Sequence, residues 1–224
     1  MSDISLVLFD FDNTLARLEP VVDWAASRRE LEPMMRRAGA PDPLFEKFPK
    51  GNLMLYDAYR AHLAAMVRKD GGEHAEILRQ ASEIIEKFEL QGVDRAEPLE
   101  GAVKLVRKLV QAGKKVGIVT SNSSKTVTRW LKKHGLDGIV SLVVGRDSLL
   151  PLKPAPDMIE KALAIAEVPR ARACYVGDTV GDCAAATEAG IPFFGIAGSD
   201  AVREALLSKG AVKVFSSPAE VSID

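Results

Sequence analysis

Residues 4–15 read ISLVLFDFDNTL, a short apolar run that stops abruptly at acidic residues. A nearly continuous run of Ile, Leu, Val and Phe is typical of a strand that is buried on both faces, as in a parallel sheet. Asp10 and Asp12 follow the run directly and are separated by one residue. The stretch therefore predicts a strand at Ile4–Phe9 with acidic groups at its carboxyl end.

Similar apolar runs recur along the 224-residue chain, and helical patterns alternate with them. Further strands are predicted at Lys115–Thr120, Ile139–Val144, Ala173–Val176, Phe193–Ile196 and Val212–Phe215, the last as an edge strand. The helical patterns are Leu99–Gln111, Lys125–His134, Pro156–Ala166, Asp182–Ala189 and Ala201–Ser208. This alternation predicts an α/β fold, a Rossmann-like doubly wound parallel sheet, in which ligands bind beyond the carboxyl ends of the strands.

One long segment, residues 16–96, breaks the alternation because it contains no strand-like run. Its helical stretches are Val22–Ala38, Leu53–Lys69 and Glu73–Leu90. We therefore predict an all-helical cap domain at 16–96, inserted after the first strand. The Rossmann-like core is expected to comprise residues 1–15 and 97–224.

Composition and charge narrow the classes of partner. The chain has 30 basic and 31 acidic residues, so its net charge of -1 gives no electrostatic reason to expect nucleic acid or a membrane surface. No apolar run approaches the ~20 residues of a membrane span, and the N-terminus lacks the basic region of a signal peptide. Two cysteines are too few for a disulfide scaffold. We expect a cytoplasmic protein, and the sequence does not indicate its oligomeric state.

The acid pair itself suggests a metal site. In an extended segment, residues i and i+2 face the same side, so Asp10 and Asp12 would repel each other unless a cation or a shared proton compensates. Hard carboxylate oxygens suit Mg²⁺. Taken alone, the pair has a second interpretation, in which the two acids only end a strand and cap a turn.

Short motifs in a fixed order favour the metal interpretation. The stretch Asp10–Leu15 resembles a DxDxT motif, and Ser121, followed by Asn122, stands at a strand end. Lys153 lies in the run KPAPD, and Gly177–Asp182 resembles GDxxxD. Together these features resemble the haloacid dehalogenase-like superfamily, in its phosphoglycolate phosphatase-like and β-phosphoglucomutase-like branch with a helical cap. The resemblance covers the core, whereas the cap matches only in position and helical character.

The resemblance implies roles for the residues that match the motifs. Asp10 would be the nucleophile that forms an aspartyl phosphate, and Asp12 the general acid that later activates water. Lys153 would neutralise charge on the transferred phosphoryl group. Ser121 and Asn122 would donate hydrogen bonds to phosphate oxygens, close to a helix N-terminus that favours anions.

The resemblance also implies a Mg²⁺ site. Its ligands would be Asp10, Asp178 and the backbone carbonyl of Asp12. Asp182 is expected to bind the ion through water or to orient the lysine; the alternative is an acid stabilised by the helix dipole. Thr14 is expected to contact the direct ligands without binding the ion itself.

The expected function is a Mg²⁺-dependent phosphatase that hydrolyses a small phosphomonoester, of the phosphoglycolate or sugar-phosphate type, through an aspartyl phosphate. Its partner would be a small phosphorylated metabolite. Two alternatives stay open: a phosphomutase of the β-phosphoglucomutase type, which uses the same motifs, and a non-catalytic binding protein on the same scaffold. The sequence does not identify the cap residues that select the substrate.

Overall fold

A parallel sheet forms the centre of the computed structural model, which describes residues 4–66 and 71–223. Within these residues the strand order is β3-β2-β1-β4-β5-β6. The strands are β1 (Leu6–Phe9), β2 (Lys115–Val119), β3 (Leu142–Val144), β4 (Ala173–Gly177), β5 (Phe193–Ile196) and β6 (Lys213–Phe215). The predicted Rossmann-like α/β class is confirmed, and β6 is the edge strand that the sequence indicated.

The first strand lies between its two partners in a register that aligns three carboxyl ends. Phe9 pairs with Ile118 of β2 on one side and with Val176 of β4 on the other. The next residue, Asp10, donates its backbone N–H to the Val176 carbonyl at 2.8 Å. The loops that follow β1, β2 and β4 therefore leave the sheet side by side.

Both faces of β1 are buried, which explains its unbroken apolar sequence. Leu6 and Leu8 pack into one hydrophobic cluster, and Val7 and Phe9 pack into another on the opposite face. The core helices are α5 (Ala102–Gln111), α6 (Ser124–Lys133), α7 (Asp157–Ala166), α8 (Val180–Glu188) and α9 (Asp200–Ser208). A strand covered on both sides needs apolar side chains at every position.

The segment between β1 and α5 is helical, and the described part of it contributes no strand to the sheet. Its helices are α1 (Trp24–Arg37), α2 (Asp42–Lys47), α3 (Asn52–Ala65) and α4 (Gly71–Gly92). The short helix α2 was not predicted; Pro43 lies in its first turn, a position that proline favours. Residues 67–69 of the predicted helix Leu53–Lys69 lie outside the described residues. The exact cap boundaries stay a prediction.

The helix predicted at Asp182–Ala189 begins earlier than expected. Helix α8 starts at Val180 because Thr179 is its N-cap. The Thr179 hydroxyl accepts the Asp182 N–H at 3.1 Å, and the Asp182 carboxylate accepts the Thr179 N–H at 2.9 Å. This reciprocal capping box fixes the Asp182 side chain at the helix start.

Cys174 and Cys183 are both free and buried. Among the described residues, no helix has the length and apolar character needed to cross a bilayer.

The double-sided burial of β1 leads to a stability prediction. Leu8 is fully buried, so we expect Leu8→Ala to lower the free energy of unfolding by about 3 kcal/mol, as measured by urea denaturation. The matched control is Leu207→Ala in α9, whose side chain is 48% exposed and which should change stability by less than about 0.5 kcal/mol. Equal losses in the two variants would contradict the burial of β1.

Candidate active site

Lys153 lies at the centre of a buried polar cluster at the carboxyl edge of the sheet. Its Nζ is 2.6 Å from Asp10 Oδ1, 2.5 Å from Asp182 Oδ1 and 3.0 Å from the Tyr175 hydroxyl. Burial by itself lowers the pKa of Lys153, but the charges of the two aspartates outweigh it and raise the pKa well above its usual value. The side chain is therefore a permanent cation between two carboxylates.

Asp10 follows β1 and is almost completely buried. Burial raises its pKa to about 6, because it outweighs the attraction of the Lys153 ammonium, and the charge of Asp182 adds to the rise. The carboxylate is therefore ionised above about pH 6. An ionised carboxylate with little competing solvent has the properties of a nucleophile.

Asp178, just beyond β4, is the third acid of the cluster. One carboxylate oxygen from each of Asp10, Asp178 and Asp182 lies within 4.8 Å of the others. Burial, followed by the charges of those two neighbours, raises the pKa of Asp178 to about 8. The Thr14 hydroxyl donates to Asp178 Oδ1 at 3.1 Å, so Thr14 contacts this acid directly.

The donor set fits a hard divalent cation. Three carboxylates face a single ammonium, which leaves surplus negative charge in a buried space, and their oxygens are the ligands that Mg²⁺ prefers. Asp182 has little capacity left, because Oδ1 contacts Lys153 and Oδ2 accepts from the Thr179 N–H and hydroxyl, at 2.9 and 2.6 Å. Asp10 and Asp178 are the acids with the most capacity left for an ion, whereas the Asp182 oxygens already contact Lys153 and Thr179.

The Asp12 carboxylate is not one of the three acids of the cluster. The chain leaves its extended path at Asn13, whose φ is 57°. The Asp12 carboxylate instead accepts the backbone N–H groups of Leu18 and Glu19, at 2.8 and 3.1 Å. Burial raises the pKa of Asp12 to about 6 against these hydrogen bonds, a value suited to proton transfer near neutral pH.

The two predicted phosphate donors after β2 have different surroundings. Ser121 and Lys153 both line a cleft of about 280 Å³ between helix α3 and the loop before α7. Asn122 is buried, and its side-chain amide donates to Glu89 at 3.1 Å while its backbone N–H donates to the Thr120 hydroxyl at 3.2 Å. Ser121 is thus placed beside the cluster, whereas Asn122 is committed to contacts within the protein.

Tyr175 is a site residue that sequence reasoning missed. Its buried hydroxyl donates to the Val119 carbonyl at 2.7 Å and accepts from Lys153. A tyrosine inside an otherwise apolar strand was the available signal, since a buried phenol needs a hydrogen-bond partner. The hydroxyl therefore connects the Lys153 ammonium to the backbone of β2.

A second missed feature is the ion pair of Glu89, in α4, with Arg146, just after β3. Both side chains are fully buried, and Arg146 Nη1 lies 2.8 Å from Glu89 Oε1. Burial by itself raises the pKa of Glu89, but the Arg146 charge and several hydrogen bonds hold it below its usual value. The pair therefore stays ionised and connects the helical segment to the core next to Ser121.

Comparisons with known proteins agree with this architecture. A family model described as haloacid dehalogenase-like hydrolase matches residues 54–196. CbbY of Rhodobacter sphaeroides, solved in complex with phosphate, superposes with a TM-score of 0.63 at 22% identity, covering 97% of this chain and 96% of that one. This structural similarity supports the fold alone.

Two curated relatives have different names. Pyrophosphatase PpaX of Halalkalibacterium halodurans is 32% identical over 112 residues, which are 48% of this chain and 52% of the relative. The phosphoglycolate phosphatase of Psychrobacter arcticus is 26% identical over 196 residues, 87% of this chain and 84% of that protein. The chain thus spans about half the length of the first of these relatives.

The crowding of Asp178 leads to a pH prediction for the metal-free protein. The folded pKa of Asp178 is about 8, above the ordinary 3.8. Between about pH 4 and pH 8 the side chain is ionised in the unfolded chain but still protonated in the folded protein, so the free energy of unfolding falls as the pH rises through this range. Asp178→Asn removes that charge. We expect the variant to exceed the wild type in free energy of unfolding by roughly 1–3 kcal/mol at pH 8.5 in EDTA, and by much less at pH 5.

Urea denaturation at the two pH values measures the difference. The exposed Asp137→Asn provides a matched control that should follow the wild type at both. A variant that gained nothing between pH 5 and pH 8.5 would show that burial and the neighbouring acids do not raise the pKa of Asp178.

Proposed function

This chain belongs to the haloacid dehalogenase-like hydrolase family, and we propose that it is a Mg²⁺-dependent phosphatase that hydrolyses a small phosphomonoester through an aspartyl phosphate on Asp10. The observation that carries the proposal is the buried contact of Asp10 with Lys153, beside the cleft that Lys153 and Ser121 line. The proposal places a nucleophile, a charge-neutralising ammonium and a hydroxyl donor around one phosphoryl group.

In the first half-reaction the Asp10 carboxylate attacks phosphorus, and the bond from phosphorus to the leaving oxygen breaks. Asp12 gives its proton to that oxygen, so the alcohol leaves neutral and Asp12 becomes a carboxylate. Lys153 neutralises charge on the phosphoryl oxygens, and the Ser121 hydroxyl donates to one of them. The raised pKa of Asp12, about 6, supports this role because a measurable fraction carries the proton near neutral pH.

In the second half-reaction water attacks the phosphorus of the aspartyl phosphate. The Asp12 carboxylate takes a proton from the water, and the bond between phosphorus and the Asp10 oxygen breaks. Inorganic phosphate leaves, while Asp10 is again a carboxylate and Asp12 is again protonated. One group thus serves as acid and then as base, which requires a pKa near the working pH.

The metal-binding residues in this proposal are Asp10, Asp178 and the backbone carbonyl of Asp12. Bound there, Mg²⁺ supplies positive charge for the phosphoryl oxygens and for the crowded acids. The raised pKa of Asp178, about 8, supports the assignment, because a buried acid among other acids gains most from a cation. Thr14 and Asp182 hold the acids and the lysine in place.

The cleft supports a small substrate. Its volume is about 280 Å³, and its walls on the α3 side are mostly apolar, with Asp57 among them. The leaving group of the phosphomonoester would lie against this wall. The names of the relatives, a pyrophosphatase and a phosphoglycolate phosphatase, support a small phosphorylated metabolite of the phosphoglycolate or sugar-phosphate type, and the free buried cysteines suit a cytoplasmic protein.

Asp12→Asn tests the two-step scheme. Para-nitrophenolate is a good leaving group that needs no proton, so the variant should still form the aspartyl phosphate but should release it slowly. With Mg²⁺ and p-nitrophenyl phosphate we expect a burst of about one nitrophenolate per site, followed by turnover about 10²- to 10⁴-fold slower than the wild type. Stopped-flow absorbance measures both phases.

Asp10→Asn is the matched control, because it keeps the shape but removes the nucleophile, and it should show neither burst nor turnover. A burst in this control, or wild-type turnover in either variant, would contradict the assigned roles. Phosphate retained in an isomerised product, together with a requirement for a bisphosphate activator, would indicate the phosphomutase instead.

A further inference from the structure

The buried ion pair of Glu89 and Arg146 joins the helical segment to the core beside the proposed phosphate site. The two side chains meet through both carboxylate oxygens, with Nη1 2.8 Å from Oε1 and Nη2 3.2 Å from Oε2. Both are fully buried. The attraction within a buried ion pair offsets the desolvation cost of its charges only if its geometry is good and its remaining hydrogen-bonding groups are satisfied. The other contacts of this pair are therefore informative.

Those other contacts converge on the loop that follows β2. Arg146 Nη1 also donates to the Ser121 carbonyl at 2.8 Å. Glu89 accepts the side-chain amide of Asn122 at 3.1 Å and the backbone N–H of Ser123 at 3.0 Å. Three successive residues of the loop are therefore held by one ion pair, and the first of them is the proposed phosphate donor.

Helix α4 and the loop after β3 hold the pair itself in place. Arg146 Nε donates to the Ser82 hydroxyl of α4 at 3.1 Å, and the Arg146 N–H donates to the Asn122 carbonyl at 2.9 Å. At Gly145 a Cβ atom would lie 2.5 Å from the Ser124 nitrogen, so only glycine permits this approach of the two loops. The loop that carries Ser121 thus has fixed contacts to α4 and to the segment after β3.

We propose that Glu89 and Arg146 are positioning residues for phosphoryl transfer. They hold Ser121 towards Lys153, and they make the position of Ser121 depend on how α4 packs against the core. This inference rests on the proposed function. Neither residue touches the substrate, because both are enclosed between α4 and the core. The phosphate-binding loop and α4 then act as one unit.

The double variant Glu89→Met/Arg146→Met separates positioning from stability. Methionine at both positions fills the space with apolar atoms and leaves no unpaired buried charge, so the fold should be retained. The melting temperature should fall somewhat below that of the wild type, because the Asn122 amide and the Ser123 N–H lose their acceptor. The kcat/KM for p-nitrophenyl phosphate should fall about 10- to 100-fold, because Ser121 loses its alignment, and the inhibition constant of inorganic phosphate should rise in parallel.

The matched control removes an exposed ion pair from the same helix. Lys87 of α4 contacts Glu30 at 2.7 Å, and both side chains are about half exposed. Glu30→Met/Lys87→Met should leave kcat/KM and phosphate inhibition unchanged.

Two outcomes overturn the inference while leaving the proposed function intact. The first is a folded Glu89→Met/Arg146→Met variant with wild-type kcat/KM. If that variant does not fold, Arg146→Lys decides, because lysine keeps the charge for Glu89 but cannot also reach Ser82 and the Ser121 carbonyl; wild-type kinetics there would be the second. A wild type that hydrolyses no phosphomonoester and binds no inorganic phosphate would instead overturn the proposed function, and this inference with it.

Discussion

One ammonium group between two buried carboxylates is the interaction on which the site depends. Lys153 contacts Asp10 and Asp182 within 2.6 Å, and its side chain is only 8% exposed. Burying charges is costly unless they are paired and hydrogen-bonded, so the surrounding groups must hold this geometry closely. Tyr175 below the lysine and the capping box of α8 beside it provide that support.

The same pairing leaves surplus negative charge in the cluster, and this charge can attract a cation. Asp178 adds a third carboxylate close to the other two, and the ammonium cannot neutralise all three. Burial raises the pKa values of Asp10 and Asp178, and the charges of neighbouring acids add to the rise. In the proposed mechanism, Mg²⁺ and the phosphoryl group complete the charge balance together, while the cleft beside Lys153 and Ser121 receives the rest of the substrate.

Much of the fold could be predicted from the sequence because its signals are local. The apolar run ending at Asp10 reports a strand buried on both faces, and β1 lies between β2 and β4 as such a strand must. The proximity of Asp10, Lys153 and Asp178 follows from the parallel order, which brings the carboxyl ends of the strands to one edge. The family motifs then indicated which side chains at those ends belong to the site.

Features that depend on distant contacts could not be predicted. The Asp12 carboxylate accepts the backbone N–H of Leu18, a contact that depends on the bend of the chain at Asn13 and that the strand pattern before it does not show. Asn122 turns away from the cleft because Glu89, 33 residues earlier, accepts its amide. No local pattern shows that a glutamate in α4 will meet an arginine after β3.

Diffraction from crystals grown with Mn²⁺ and orthovanadate, a mimic of the transferred phosphoryl group, tests the central claim most directly. We expect one anomalous manganese peak in direct contact with Asp10 and Asp178, and vanadate touching both Lys153 and Ser121. Manganese bound elsewhere, or vanadate out of reach of the Lys153 ammonium, would contradict the convergence of these loops on one metal ion and one phosphoryl group.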